Sequence, residues 1–204
     1  KDYGNARGLE LKYKYRYHSF LANLNYTLQY TRGNSDNPVM TYDRAGDSID
    51  PINQMIPMSW DQRHTLNVTA GYNTKKFGAT LTGYYDSGTP YTWSPVGSSM
   101  LFRVNLLPNN SIMPAQISFD LNGYYSIAIT KRVKAKLTLT VYNLLDRLNE
   151  VTVNGQTGRA YTTIIRETDV NSHKSVFNDY LDRIQNPSMY SAPRLVKIGF
   201  GIEF

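Results

Sequence analysis

The sequence contains no cysteine and no long apolar run. The absence of cysteine excludes disulfide bonds, thiolate metal sites and cysteine nucleophiles. A membrane-spanning helix needs about 18 or more largely apolar residues in succession, so the sequence excludes such a helix as well. The chain also begins without a methionine or a signal peptide. We therefore expect a mature or truncated piece of a longer protein.

Strict alternation of apolar and polar residues recurs in seven segments and predicts seven β-strands. The first segment, for example, places Leu9, Leu11 and Tyr13 on one face of a strand. The segments are about ten residues long, which is the length that a tilted strand needs to cross a bilayer. Strands of soluble proteins are most often about 5–6 residues long. The predicted strands are residues 8–17, 22–31, 65–72, 77–86, 117–129, 133–143 and from about 194 onwards.

The connections between these segments alternate between short turns and long polar loops, which is typical of a transmembrane β-barrel. The short turns are predicted at residues 18–19, 73–76 and 130–132. The long loops are predicted at residues 32–63, 87–115 and 144–193.

The predicted fold class is all-β, namely the C-terminal portion of an antiparallel transmembrane β-barrel. Single-chain bacterial barrels have an even number of strands. Seven is odd, and the first strand would start on the side of the long loops, so we expect at least one further strand upstream. Residues 1–204 are thus predicted to be the C-terminal segment of an outer-membrane β-barrel domain, without its upstream strands.

The C-terminal strand carries a recognisable pattern. Its apolar face ends on an aromatic residue, and Lys197, Gly199, Ile202 and Phe204 occupy the four defined positions of a motif. This motif resembles the C-terminal signal that the bacterial barrel assembly machinery reads. The resemblance implies that these four residues form an assembly signal.

Four further stretches resemble the TonB-dependent outer-membrane receptors, in the right order along the chain. Residues 6–11 read Ala-Arg-Gly-Leu-Glu-Leu and open a strand. Residues 60–67 read Trp-Asp-Gln-Arg-His-Thr-Leu-Asn and are similar to the stretch that re-enters the barrel after a long loop. Residues 141–147 read Val-Tyr-Asn-Leu-Leu-Asp-Arg and end a strand. Residues 186–194 read Asn-Pro-Ser-Met-Tyr-Ser-Ala-Pro-Arg and lead into the final strand.

The family resemblance implies a barrel of about 22 strands closed by a plug domain. It also implies active uptake of a scarce nutrient of the siderophore, vitamin or oligosaccharide class across the outer membrane of a Gram-negative bacterium. The implied partners are outer-membrane lipid and lipopolysaccharide, the missing strands and plug, the TonB–ExbB–ExbD complex, the assembly machinery and the transported small molecule or oligosaccharide. Neither the plug nor the segment that TonB grips is present in the 204 residues, so active transport is expected of the parent protein only.

The net charge of +6 and the 17 tyrosines fit this fold. Basic residues such as Lys12, Lys14 and Arg16 alternate with apolar residues instead of clustering on a helix, so we interpret them as facing the lumen or the rim. We expect no nucleic-acid partner. Tyrosines on the predicted lipid face, such as Tyr13 and Tyr15, are interpreted as an interfacial aromatic girdle.

No catalytic, metal or cofactor site is predicted. The histidines His18, His64 and His173 fall in different segments. Asp43, Asp47 and Asp50 share one loop but lack the spacing of a known calcium-binding loop. No nucleophile motif is present, so we expect no enzymatic activity. The Asp-Gln-Arg-His group at residues 61–64 is interpreted as an ion-paired start of a strand.

Ligand contacts are expected from the long loops. Tyr91 and Trp93 form an aromatic cluster in the second loop that could stack on a sugar or a chelate. In the third loop, Asn154 and Gly155 predict a hairpin over residues 152–165. Three alternatives remain open: a non-transporting barrel such as an adhesin, scaffold or passive porin, a barrel enzyme, and a soluble β-sandwich.

Overall fold

The computed structural model describes residues 3–47, 51–95, 106–160 and 186–203. Most of this part is β-structure, and the longest strands number seven, as predicted. The strands are β1 (Gly4–Tyr17), β2 (Phe20–Gly33), β3 (Ile56–Pro57), β4 (His64–Asn73), β5 (Phe77–Asp86), β6 (Pro90–Tyr91), β7 (Ser111–Ile112), β8 (Gln116–Ala128), β9 (Lys134–Tyr142) and β10 (Leu195–Glu203). Helix α1 spans Pro38–Gly46, and a 3₁₀ turn spans Pro187–Met189.

The seven long strands form one antiparallel sheet in the order β1-β2-β4-β5-β8-β9-β10, and β3 pairs with the end of β2. Strands β6 and β7 form a separate two-stranded sheet. The three long connections all leave from the same end of the large sheet, which we call the loop end. The three short turns lie at the opposite end, which we call the turn end.

The register of all six pairings keeps most apolar and polar residues on separate faces of the sheet, because side chains alternate with period two along every strand. Arg7 and Arg32 are exceptions, since they lie on the apolar side at the loop end. One row across the sheet consists of Tyr15, Ala22, Ala70, Leu81, Leu121, Val141 and Val196. The next row, which points to the opposite side, consists of Arg16, Leu21, Gly71, Thr80, Asn122, Thr140 and Lys197. We call these two sides the apolar face and the polar face.

Much of the apolar face is exposed among the described residues. Ile198 and Phe200 in β10 are 74% and 71% exposed, and Tyr13 and Tyr17 in β1 are exposed as well. The buried apolar cluster lies elsewhere, in the first long connection, where Ile52, Ile56 and Met58 pack with two partly buried neighbours, Met40 and Leu107. The large sheet therefore carries an apolar surface that this cluster does not cover.

The sheet is open in the described part of the chain. β1 pairs only with β2, and β10 pairs only with β9, so each presents one unpaired edge. The predicted antiparallel strands are confirmed, and closure into a barrel stays a prediction. Within the described ranges, no helix has the length and apolarity that crossing a bilayer requires.

The turns and the first connection follow from local chemistry. His18 adopts a φ of +49° in the turn between β1 and β2, and Thr74 Oγ1 donates to the Phe77 carbonyl in the next turn (2.6 Å). A long polar loop was predicted over residues 32–63, and the structure shows that this connection contains helix α1, which was not predicted. Asn37 caps this helix by accepting from the Met40 N–H (2.9 Å), and Pro38 occupies the first turn.

The hairpin predicted over residues 152–165 is not confirmed. No strand occurs over 152–160, and residues 161–165 lie outside the described part. The Asn154 carbonyl accepts from Thr157 N (3.2 Å) and from Gly158 N (2.8 Å). Gly158 has a φ of +71°, which glycine adopts freely. Residues 154–159 therefore close as a compact turn, and residues 152–160 form no ladder of paired strands.

Candidate functional site at the loop end

The first and second long connections are fixed to one another by a buried amide. Nδ2 of Asn109 lies 3.1 and 2.9 Å from the two carboxylate oxygens of Asp36, and 3.0 Å from the Pro57 carbonyl oxygen. Asp36 also accepts from the Ser59 N–H (2.9 Å). Asn109 has a φ of +57°, a conformation that asparagine tolerates better than most residues.

The predicted ligand-contact residues Tyr91 and Trp93 lie where the second connection meets the third. The indole N–H of Trp93 donates to the Gln156 carbonyl (2.9 Å), and its backbone N–H donates to Asn110 Oδ1 (2.7 Å). The Tyr91 hydroxyl is so close to Gly158 that a Cβ there would clash with it. Both aromatic residues thus hold two connections together, and ligand contact by either one stays a prediction.

The third connection is anchored by buried polar groups below that turn. Glu150 is buried and forms an ion pair with Arg159 (2.6 Å) and accepts from the Ala160 N–H (2.6 Å). Asn149 is 2% exposed, and its amide exchanges two hydrogen bonds of 2.9 Å with the backbone of Ile117 in β8. At the loop end, hydrogen bonds and ion pairs therefore hold the connections to one another and to the sheet.

The interpretation of residues 61–64 as an ion-paired strand start is confirmed. The buried carboxylate of Asp61 accepts from the Thr31 N–H (2.9 Å) and from Nη2 of Arg63 (2.8 Å). The Arg63 guanidinium also lies 4.0 Å from the centre of the Tyr30 ring. Its hydrogen bond to Asp61 raises the pKa of Arg63 above the ordinary value, so the residue stays charged at any physiological pH. His64 forms a hydrogen bond of 2.8 Å with the Tyr26 hydroxyl.

Two adjoining grooves open on the polar face beside β1 and β2, and they were not predicted from the sequence. Their volumes are about 550 and 390 Å³, and Trp60, Ala6 and Thr31 line both. Trp60 is 49% exposed. Sequence reasoning had assigned Trp60 only to a family motif. The small residues at alternate positions of β1, namely Gly4, Ala6 and Gly8, are a signal that the sequence does contain, but it does not show that Trp60 lies beside them.

The predicted assembly signal lies on β10, as far as the structure describes it. Lys197 and Gly199 face the polar side, and Ile202 faces the apolar side. Lys197 Nζ lies 5.1 Å from the centre of the Tyr142 ring, and the residue lines a third groove of about 450 Å³. A Cβ at Gly199 would lie 2.6 Å from Thr138 Oγ1. Phe204 lies outside the described residues.

The described ranges contain no group of three or more histidine, aspartate or glutamate side chains that could hold a metal ion. Asp43 lies in α1, and Asp47 follows the helix as its C-cap. Asp50 and His173, which the sequence had also raised as candidate ligands, lie outside the described residues.

No protein-family model, no curated protein and no solved structure matches this chain. A function therefore rests on the sequence pattern, the sheet and its connections.

Proposed function

We propose that this chain is the C-terminal part of the β-barrel of a TonB-dependent outer-membrane transporter, which takes up a scarce nutrient. The observation that carries the proposal is the apolar face, which runs across all seven paired strands and is widely exposed, with the arginines Arg7 and Arg32 on it only at the loop end. Large exposed apolar surfaces mark contact with a membrane or a partner. Here the apolar face spans the whole sheet, which favours contact with membrane lipid over contact with a protein partner.

The polar face supports the same proposal. It places Lys14, Thr69, Thr82 and Asp120 in or near the middle of the sheet, where a lumen or a plug domain would meet them. A transmembrane barrel has this arrangement, with apolar side chains toward lipid and polar side chains inward. The unpaired edges of β1 and β10 fit a piece of a larger barrel, because hydrocarbon offers unpaired backbone groups no hydrogen bonds.

We choose transport over other barrel functions because of the family resemblance in residues 6–11, 60–67, 141–147 and 186–194. The loop end, whose connections are held together by hydrogen bonds and ion pairs, suits a receptor. Fixed connections can present a shaped surface to a ligand on the outside of the cell.

A matched pair of substitutions in β10 tests the membrane assignment. Ile198 points to the apolar face and Gly201 to the polar face, and a Cβ at Gly201 meets no atom within 4 Å. Replacing Ile198 by lysine should lower the unfolding free energy in lipid vesicles by about 2–4 kcal/mol if the residue faces the bilayer centre. Gly201→Lys should change it by less than about 1 kcal/mol. Equal effects of the two substitutions in urea unfolding experiments would count against a lipid-facing sheet.

The transport assignment needs a separate experiment. The intact mass and N-terminal sequence of the protein isolated from outer membranes should reveal a chain several times heavier than 204 residues, with a plug domain. The isolated protein should also bind the purified periplasmic domain of TonB. A membrane-inserted protein without a plug and without TonB binding would favour a non-transporting barrel.

A further inference from the structure

The exposed ring of Trp60 lies where the two grooves beside β1 and β2 join. One groove extends toward the start of α1, and the other follows β1 and β2 toward the turn end. Both grooves are open to the polar face of the sheet. A ligand longer than a single ring could therefore contact Trp60 and continue to either side of it.

The floor of the grooves is flat because β1 carries small residues there. Gly4, Ala6 and Gly8 alternate toward the polar face, opposite residues of β2. A Cβ at Gly8 would lie 2.3 Å from the Leu28 carbonyl oxygen, so no larger residue fits without moving the backbone. Beside this floor, Gln29 Nε2 donates to Thr31 Oγ1 (2.9 Å), so an amide and a hydroxyl are held at fixed positions.

The charged side chains that face the grooves are already engaged by neighbours. Arg7 and Arg32 point to the apolar face, where Arg7 lies over the Tyr30 ring. Asp36 and Glu10 therefore remain on the groove side. Asp36 is already bound to Asn109, and Glu10 forms an ion pair with Lys12 (3.1 Å). The lining thus favours a ligand without net charge over an anionic or cationic one.

The two tryptophans of the chain differ in their availability to a ligand. The indole N–H of Trp93 is occupied by the Gln156 carbonyl. For Trp60, the described part of the chain supplies no hydrogen-bond acceptor to the indole N–H. The Trp60 ring can therefore offer both an apolar face and a polar donor at its edge.

We infer that Trp60 is the stacking platform of a binding site for a neutral oligosaccharide. A pyranose ring has an apolar face of C–H groups, which packs on an aromatic ring, and a rim of hydroxyl groups, which pairs with amides and hydroxyls. Trp60 supplies the ring, and Gln29 and Thr31 supply polar partners in the smaller groove. This inference rests on the proposed function, because it selects one ligand class among those that such a transporter could import.

Isothermal titration calorimetry on the full-length protein tests the inference. The ligands are the neutral hexasaccharides maltohexaose, xylohexaose and mannohexaose. We expect at least one of them to bind, Trp60→Ala to weaken its binding at least tenfold, and Trp60→Tyr to retain most of the affinity because a stacking ring remains. Tyr125→Ala is the matched control and should leave the dissociation constant within about twofold, since this exposed ring lies on the apolar face and lines neither groove.

Three results would overturn the inference: no binding of any hexasaccharide, equal weakening by Trp60→Ala and Tyr125→Ala, or binding of a ferric catecholate chelate in their place. The thermal unfolding midpoint of each variant shows whether a loss of binding reflects loss of the fold, and Trp60→Tyr then decides the outcome. Binding in this experiment requires neither TonB nor energy. Oligosaccharide binding by a protein that fails to bind TonB would therefore refute the proposed transport and leave the Trp60 site intact.

Discussion

The buried carboxylate of Asp61 provides a sharp test of how the first connection is held to the sheet. Asp61→Asn keeps the shape of the side chain, and the amide oxygen can still accept from the Thr31 N–H. Its amide nitrogen, however, would face Nη2 of Arg63, which is a donor as well. The substitution therefore removes one charge-assisted hydrogen bond of 2.8 Å and leaves Arg63 without its anion.

The expected loss follows from the environment of the pair. A hydrogen bond to a charged group contributes about 1.5–3 kcal/mol. The Asp61 side chain is 1% exposed and that of Arg63 is 32% exposed, so water can partly replace the lost partner of the arginine. We expect Asp61→Asn to lower the unfolding free energy by about 2 kcal/mol. Asp61→Ala should cost about 3–4 kcal/mol, because it also leaves the Thr31 N–H unpaired.

Urea unfolding of the purified protein in detergent micelles, followed by tryptophan fluorescence, measures these losses. Trp60 is adjacent to Asp61 in the chain and reports on the region directly. Glu10→Gln is the matched control, since the Glu10–Lys12 pair is well exposed on both sides and should contribute less than about 0.5 kcal/mol. If Asp61→Asn and Glu10→Gln lowered stability equally, Asp61 would not hold the connection as argued.

Two other predictions concern assembly and the third connection. Deletion of Phe204, or Gly199→Leu, should lower the amount of assembled protein in the outer membrane, measured by the heat-dependent mobility of folded barrels on gels; normal amounts would contradict a role in assembly. Asn149→Ala should lower the unfolding free energy by about 2–3 kcal/mol, because it leaves both polar groups of the Ile117 backbone without partners. Asn122→Ala, which removes one exposed hydrogen bond, should cost less than about 1 kcal/mol in the same urea experiment.

The long strands could be predicted from the sequence because each has one apolar face. Its side chains therefore alternate between apolar and polar with period two, which is a local signal. The predicted range of β5, residues 77–86, coincides with the observed strand. The extensions of β1 to Gly4 and of β2 to Gly33 were missed, since Asn5, Arg7 and Arg32 fall on the apolar side and break the apolar-polar alternation without interrupting the pairing.

The connections were harder to predict, because their structure depends on single side-chain contacts between distant residues. Asn37 followed by Pro38 is a helix-start signal that was present but not used. Nothing local indicates that Asn109 would reach Asp36, or that Trp93 would bind the Gln156 carbonyl. Exposure of Trp60 likewise depends on small residues more than 50 positions away in the chain, which come to lie beside it only after the sheet has formed.

The shared register of the seven strands also restricts how this sequence can change over evolutionary time. Inserting or deleting one residue within a strand such as β4 would turn every following side chain of that strand to the other face. A lineage should therefore accept many replacements within the strands that preserve polarity, but length changes there only in pairs or where a bulge absorbs the extra residue. Gains and losses of sequence should accumulate in the long connections, away from the residues that tie them together, and new ligand preferences would arise there without any change to the sheet.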